Sequence, residues 1–196
     1  MPRGVAITEP RQHLFAAAER VVVASGPRQL TSRAVTREAG VATGLLFAHF
    51  TGFDDFLVGY AVDRSFQIAG AAAALAGRAG TGTVAENLCA TVLATPLVTL
   101  LTISRLTAWR PELTAEVEAV LGHGSAPLPA LERAVTAYLT AEQERLPAGV
   151  DAEALALAVV GIVHHLALTA GTSSEAAGRI RRAIAALVEI RSATTS

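Results

Sequence analysis

The sequence predicts an all-α protein with an N-terminal head of three short helices, a C-terminal helical body and about nine helices in total. Three observations favour this fold class. Helix start and stop signals recur along the chain, and no long stretch alternates β-branched with polar residues. Alanine, the strongest helix former, is the most frequent residue. With 196 residues, 52% of them hydrophobic and 17% charged, the chain can bury a sizeable core.

The composition also indicates where the protein works. Cys89 is the only cysteine and cannot form a disulfide within one chain, and residues 1–9 lack the apolar run of a signal peptide. We therefore predict a cytoplasmic protein. The most apolar stretch, Ala154–Ala170, is close to the lower length limit for a membrane span. Because it contains His164 and His165, we expect a core or interface helix and no membrane partner, with a membrane span as the alternative.

Four helices are predicted in the first part of the chain, the fourth of which connects the head to the body. Pro10 lies in the first turn of the first helix. Thr31 caps the second helix, and Thr51 with Asp54 forms a capping-box-like start for the fourth. The spans predicted from these signals are 9–25, 31–40, 42–49 and 51–77.

The body helices follow a break at residues 80–82. Thr83 with Glu86 resembles a capping box, and Pro96 is expected as the first residue of the next helix. Asp151 caps the apolar helix, which is expected to end at Gly171. The six body helices are predicted to begin near residues 83, 96, 112, 128, 151 and 175, the last of them running to 191.

The second and third helices are joined by a tight turn at residues 39–41. Gly40 supplies the left-handed backbone that such a turn needs, and Val41 can fill the angle between the helices. Two helices joined in this way form either a helix-turn-helix, whose second helix enters the DNA major groove, or an ordinary helical hairpin. The spacing alone leaves both open. The residues expected to point inward are Val35, Leu46 and Phe50.

The segment Leu30–Phe50, LTSRAVTREAGVATGLLFAHF, resembles the signature of the tetracycline-repressor (TetR) family of bacterial transcription regulators. The shared features are a Thr/Ser start, the AGV turn, a following Gly, an aromatic residue and a terminal His-Phe, all at fixed offsets. The resemblance implies a helix-turn-helix DNA-binding domain at 8–68, with its motif at 31–50, and a ligand-binding and dimerisation domain at 69–196. It also implies a non-enzymatic homodimer, most often a repressor, that binds double-stranded palindromic operator DNA until a small-molecule effector releases it.

Several positions depart from the family pattern. Phe47 replaces the usual Tyr before His-Phe, and Leu45 stands where a small or polar residue is common. Phe53 replaces a frequent Lys, and Ala42 replaces the usual capping Ser. Residues 1–64 contain seven Arg and six acidic residues, a weak positive charge for binding DNA. The alternative is therefore a small-molecule- or partner-binding helical protein with weakened or lost DNA binding.

The DNA-binding candidates lie on the second and third helices. Arg33 and Arg37 are one turn apart, so both can reach the phosphates of one strand, with a solvated helix face as the alternative. Leu45 and Ala48 can meet thymine methyl groups, and Thr43 can hydrogen-bond a base or a phosphate. The full predicted set is Thr31, Ser32, Arg33, Arg37, Thr43, Gly44, Leu45, Phe47, Ala48 and His49.

One face of a central body helix is the candidate ligand site. Val98, Thr102, Arg105 and Trp109 share this face, and in the family that the chain resembles the corresponding helix commonly lines the ligand cavity. Arg105 can meet an anionic group and Trp109 an apolar one, or the two can form a surface cation–π pair. His164 can donate to or accept from a ligand. Because the helical stripes of the body contain few charges, we expect a small, mainly apolar effector.

The last two helices are predicted to form the dimer interface, because both are long and apolar and contain small residues. The candidates are Ala158, Gly161, Ile162, His165, Ile180, Ile184 and Leu187. No catalytic residue, metal site or cofactor is predicted, since the chain lacks GxSxG, GxGxxG, HExxH and CxxC motifs. The adjacent His164 and His165 point about 100° apart on a helix and cannot bind one ion from the same face.

Overall fold

The computed structural model describes residues 8–169 and 173–189. This part of the chain forms ten α-helices and two short 3₁₀ helices (Pro27–Gln29 and Gln143–Arg145) and contains no strand, so the all-α prediction is confirmed. The α-helices are α1 (Pro10–Ser25), α2 (Ser32–Glu38), α3 (Thr43–His49), α4 (Phe53–Ala76), α5 (Val84–Ala94), α6 (Leu97–Trp109), α7 (Glu112–Leu121), α8 (Pro127–Ala141), α9 (Ala152–Thr169) and α10 (Ser173–Glu189). The predicted end points Gly171 and Arg191 lie outside the described residues.

Aromatic side chains form the core of the head. The Phe15 ring of α1 lies 5.5 Å from that of Phe56 and 5.6 Å from that of Tyr60, both on α4. Phe50, at the end of α3, meets Phe56 edge-on at 5.1 Å. These contacts join α1, α3 and α4 in one core. Val35, Leu46 and Phe50 are all buried, as predicted.

α4 is the longest helix and serves both parts of the molecule. Its first half packs on the head through Phe56 and Tyr60, and its length packs against α5, α7 and α8. α9 packs on α6 and α8, and α10 covers α5 and α9. Because α4 is unbroken at residues 68 and 69, the division into two domains there remains a prediction.

Several predicted caps form as expected. The Thr31 hydroxyl accepts a hydrogen bond from the Ala34 amide at 3.1 Å. Thr83 and Glu86 form a complete capping box at the start of α5. The Asp151 carboxylate accepts from the Glu153 amide at 2.9 Å at the start of α9. Local sequence signals thus identified these helix ends correctly.

Two predicted helix starts are wrong. The Thr51 amide and hydroxyl both donate to Asp55, not to Asp54, and the N-cap of α4 is Gly52, which has no side chain to complete a capping box. Pro96 is the N-cap of α6 rather than its first helical residue. Proline fixes only its own φ, which suits both positions, so the sequence could not distinguish them.

α9 is unusually apolar for a helix at the surface. By length and composition alone it could cross a membrane, with a mean hydropathy of 1.7 over Ala152–Thr169, yet only 33% of that stretch is buried. The exposed large side chains are Leu157 and Leu168. Exposed apolar faces of this kind are typical of interaction surfaces.

Candidate nucleic-acid interface

α1 holds the turn between α2 and α3 in place. Gly40 has a φ of +68°, the left-handed conformation predicted for it. The Val41 amide donates to the Thr36 carbonyl at 2.9 Å, and a ring nitrogen of His13, on α1, donates to the Ala39 carbonyl at 2.8 Å. The two short helices therefore form a braced helix-turn-helix. His13 was not selected from the sequence, because it lies 26 residues from its partner.

The ten predicted DNA-binding residues all lie at the surface of α2 and α3 or at their starts. Ser32 and Leu45 are half-buried, and the other eight are exposed. Phe47 is 51% exposed, which is unusual for a phenyl ring. The structure thus places the whole set on, or at the start of, the two helices of the helix-turn-helix.

Arg33 and Arg37 line a surface groove of about 470 Å³ between α1 and α2, together with Thr31. Within residues 8–169 and 173–189, neither arginine has a hydrogen bond or an ion pair to another side chain. Glu38 lies in the same groove, but Arg20 binds it at 2.6 Å. The basic side chains of α2 are therefore available for phosphates, although the head as a whole is almost neutral.

Thr43, at the start of α3, is held by a buried threonine of α2. The hydroxyl oxygens of Thr36 and Thr43 are 3.3 Å apart, and the Thr36 hydroxyl also donates to the Ser32 carbonyl at 2.9 Å. Thr36 is 1% exposed, so it acts only by orienting its neighbours. This role was not predicted, because a buried threonine in a short helix usually bonds only its own backbone.

α1, α4 and α6 meet at a buried carboxylate. Oε1 of Glu19 accepts hydrogen bonds from the Tyr60 hydroxyl at 3.2 Å and the Thr99 hydroxyl at 2.9 Å, and it pairs with Nε of Arg64 at 2.9 Å. Burial raises the pKa of Tyr60 well above its usual value, and the charge of Glu19 raises it further. Burial lowers the pKa of the Arg64 guanidinium, but Glu19 and its other partners outweigh this effect. This cluster, the Glu19 hub, links the head to the body.

The five predicted ligand residues are spread along α6 and α9. Thr102 is buried beside the Tyr60 hydroxyl, whose pKa it lowers slightly. Val98, Arg105 and His164 are half-buried, and Trp109 is 37% exposed. A cavity of about 60 Å³ between α6, α7 and α8 is lined by other residues, among them Ile103, Thr107 and Thr114. The ligand assignment therefore remains a prediction.

A further groove, of about 580 Å³, lies between α5 and α10. Its lining includes Cys89, Leu93 and Arg181, none of which the sequence analysis placed in a ligand site. Burial raises the pKa of the Cys89 thiol, while Arg181 lowers it. In the described residues, no three His, Cys, Asp or Glu side chains come together as a possible metal site.

The predicted dimer residues fall into two groups. Ala158, Gly161, Ile162 and His165 line a surface groove of about 390 Å³ between α9 and α10. The other group points inward, with Ile180 and Ile184 buried in the protomer and Leu187 half-buried. The α9 residues therefore line an exposed groove, whereas Ile180 and Ile184 are buried inside the protomer.

Comparison with known proteins identifies the head. Residues 14–58 match the family model of bacterial regulatory proteins, tetR family. No curated protein sequence matches the chain. The fatty acid degradation regulator FadR from Bacillus halodurans has a similar structure, with a TM-score of 0.68 and 15% identity over 94% of this chain and 97% of that one.

Two further solved structures share the fold over almost their full length. A transcriptional regulator from Rhodococcus sp. Rha1 has a TM-score of 0.67 and 21% identity, covering 92% of this chain and 94% of that one. FadR from Bacillus subtilis, in complex with stearoyl-CoA, has a TM-score of 0.60 and 17% identity, covering 91% and 97%. Residues 14–58 thus form a helix-turn-helix domain that matches the tetR family of bacterial regulatory proteins, and the rest of the chain continues an all-α fold that it shares with solved transcriptional regulators.

Proposed function

We propose that the protein is a cytoplasmic, ligand-responsive transcriptional repressor that binds palindromic operator DNA as a homodimer and has no enzymatic activity. The observation that carries this proposal is the head surface: eight exposed and two half-buried candidates on a braced helix-turn-helix, with Arg33 and Arg37 unpaired among the described residues. Exposed arginines are common on any helix, but an exposed phenyl ring such as that of Phe47 is unusual on a hairpin without a binding partner. The family match over residues 14–58 supports the same conclusion.

The second candidate function is a small-molecule- or partner-binding helical protein with weakened or lost DNA binding. One observation favours it: Ala42, the N-cap of α3, makes no side-chain cap bond, so this helix lacks a common stabilising contact. The exposed Phe47 also lacks the hydroxyl that would reach a phosphate. The two candidates differ in one measurable property, namely sequence-specific affinity for duplex DNA.

In vitro selection from a randomised duplex pool separates them. For a repressor, we expect an enriched palindromic sequence, with an affinity that falls steeply as salt increases. If no sequence is enriched and binding stays weak at low salt, the second candidate is correct. The selection needs only the purified protein and no knowledge of its genes.

A second copy of the chain is the proposed partner of α9. Leu157, Gly161, His165 and Leu168 recur at spacings of four, four and three residues, so they share one face, and all four are exposed. Two copies of α9 and α10 related by a two-fold axis can bury this face in a four-helix bundle. The same arrangement suits a palindromic operator, because protein and DNA then share one axis.

The proposed effector is mainly apolar and binds the body near α6. FadR from Bacillus subtilis has this fold and was solved with stearoyl-CoA, so stearoyl-CoA is a suitable first probe. Trp109 is the only tryptophan, and its half-exposed ring makes its fluorescence sensitive to nearby binding. A ligand that releases the selected duplex without changing Trp109 emission, and equally in Arg105→Ala, would place the effector site elsewhere.

A further inference from the structure

The middle of the exposed surface of α3 is apolar, between the exposed polar side chains of Thr43 and His49 at the two ends of the helix. Gly44, Phe47 and Ala48 lie three and four residues apart, so they form one exposed stripe, with the half-buried Leu45 at its edge. A recognition helix more commonly presents amide or guanidinium groups that hydrogen-bond base edges. None of the four residues of this stripe has a polar side chain.

Thr43, at the start of α3, is held against α2. Its hydroxyl oxygen lies 3.3 Å from that of Thr36, which also donates to the Ser32 carbonyl at 2.9 Å. Either threonine can be the donor in the contact between them. Thr43 therefore forms the polar N-terminal end of α3 and lies outside the apolar stripe.

The major groove has one apolar group that such a face can recognise. Each thymine presents a C5-methyl group there, whereas the other features of base edges are hydrogen-bond donors and acceptors. We infer that α3 recognises thymine methyl groups through Phe47 and Ala48, so that A·T pairs dominate the centre of each half-site. This inference rests on the proposed function and specifies what the same surface selects.

The neighbouring charges favour DNA over a protein as the occupant of this face. Arg33 and Arg37, exposed on α2, are both unpaired within the described residues. Unpaired arginines on α2 and an apolar stripe on α3, the two helices of one helix-turn-helix, fit a ligand with apolar groups between two rows of phosphates. A protein partner would need acidic groups at the same positions.

Replacing thymine with uracil removes the C5-methyl group and changes nothing else in the base pair, which makes a direct test. The probe is the duplex selected from the randomised pool, resynthesised with uracil at one thymine at a time. At two or more positions in each half-site, we expect uracil to weaken binding about three- to fivefold, as for one buried methyl group. In Phe47→Ala the effect should disappear at one of these positions.

Phe66→Ala is the matched control, since Phe66 is 63% exposed on α4, outside this face. It should bind every duplex as the wild type does. If a duplex is enriched but uracil is tolerated at every thymine, the inference is wrong and the proposed function stands. If no duplex is enriched, the proposed function fails, and the inference fails with it.

Discussion

Gly44 is a helical residue that the protein itself does not require to be glycine. Its φ is not in the left-handed region, and an added Cβ would meet no protein atom within 4 Å. A glycine inside a helix is nevertheless less stable than alanine by about 0.5–1 kcal/mol. If α3 binds DNA as proposed, a close approach of its backbone to the duplex would explain why this position lacks a side chain.

Gly44→Ala should therefore stabilise the protein and weaken DNA binding. We expect the free energy of unfolding to rise by about 0.5–1 kcal/mol, measured by urea denaturation. Affinity for the selected duplex should fall by about tenfold, because the methyl group holds the helix away from the groove. Gly70→Ala, at an equally open and exposed position of α4, should give the same stabilisation with unchanged DNA binding. Unchanged DNA binding in Gly44→Ala would show that this backbone does not approach the duplex.

Arg33 and Arg37 are expected to bind phosphates rather than bases. Arg33→Ala should weaken binding to selected and unselected duplexes alike, and it should reduce the slope of log affinity against log salt by about one. Arg133→Ala, which removes an exposed arginine of α8, is the control and should leave the slope unchanged. A loss limited to one base pair of the operator would instead make Arg33 a base-contacting residue.

For single residues, local signals predicted the exposed side chains of α2 and α3 but not the buried side chains that hold these helices. Arg33, Arg37 and Phe47 were predicted because they flank a recognisable turn at residues 39–41. Thr36 and Glu19 were not, because their roles depend on contacts made only after folding; Glu19 and Thr99 are 80 residues apart. A single sequence does not specify such pairs.

Among the elements, the Glu19 hub gives the junction of α1, α4 and α6 a defined response to alkaline pH. The pKa of Tyr60 is raised on folding, so the unfolded chain loses this proton first. The contribution of this raised pKa to folding stability is complete below the usual tyrosine pKa of about 10. It is lost as the pH rises through the pKa of Tyr60 in the folded protein. The chain has no lysine, so the two tyrosines and Cys89 are the side chains that titrate in this range.

Tyr60→Phe should make stability less dependent on pH above about 10. At neutral pH it should cost about 1 kcal/mol, because Glu19 loses a hydrogen-bond donor. Denaturation curves between about pH 8 and pH 11 measure both effects. Tyr138→Phe removes the other tyrosine, whose pKa is also raised, and should leave most of the dependence in place. If the free energy of unfolding of Tyr60→Phe depends on pH as steeply as that of the wild type, the Glu19 hub is not the source of this dependence.

The helix starts show which boundaries can be predicted from neighbouring residues alone. The caps at Thr31, Thr83 and Asp151 depend on residues within three positions, and all were predicted correctly. The start of α4 was wrong because Thr51 has two acidic residues within reach, and the folded backbone selects Asp55. A helix cap with one possible partner nearby was predicted correctly from the sequence. The cap at Thr51, which has two possible partners, was not.

The proposed dimer of the whole molecule can be tested by a substitution at one glycine of α9. Gly161 is exposed on the apolar face of α9, and an added Cβ meets nothing within 4 Å, so a larger residue is compatible with the protomer. Gly161→Glu should place two like charges near the two-fold axis and give a monomer of 20.2 kDa. Light scattering at micromolar concentration should show twice this mass for the wild type.

Gly70→Glu is the matched control, because Gly70 is also an exposed, open position within a helix. It should stay at twice the monomer mass. If Gly161→Glu does so too, the interface lies elsewhere on the surface. Of the predicted α9 residues, Gly161 and His165 are exposed. The sequence did not indicate that Ile180 and Ile184 of α10 point inward, since that depends on how the two helices pack.

The length of α4 has a mechanical consequence. Its 24 residues span about 36 Å, so a tilt of about 5° around its body end would move its head end by about 3 Å. In a symmetric pair the two displacements add to about 6 Å, against a spacing of about 34–36 Å between successive major grooves on one face of DNA. α4 would thus act as a lever arm that amplifies a small angular change in the body. An effector then need not be large: displacing one packed side chain beside α4 would be enough to misalign two distant binding surfaces.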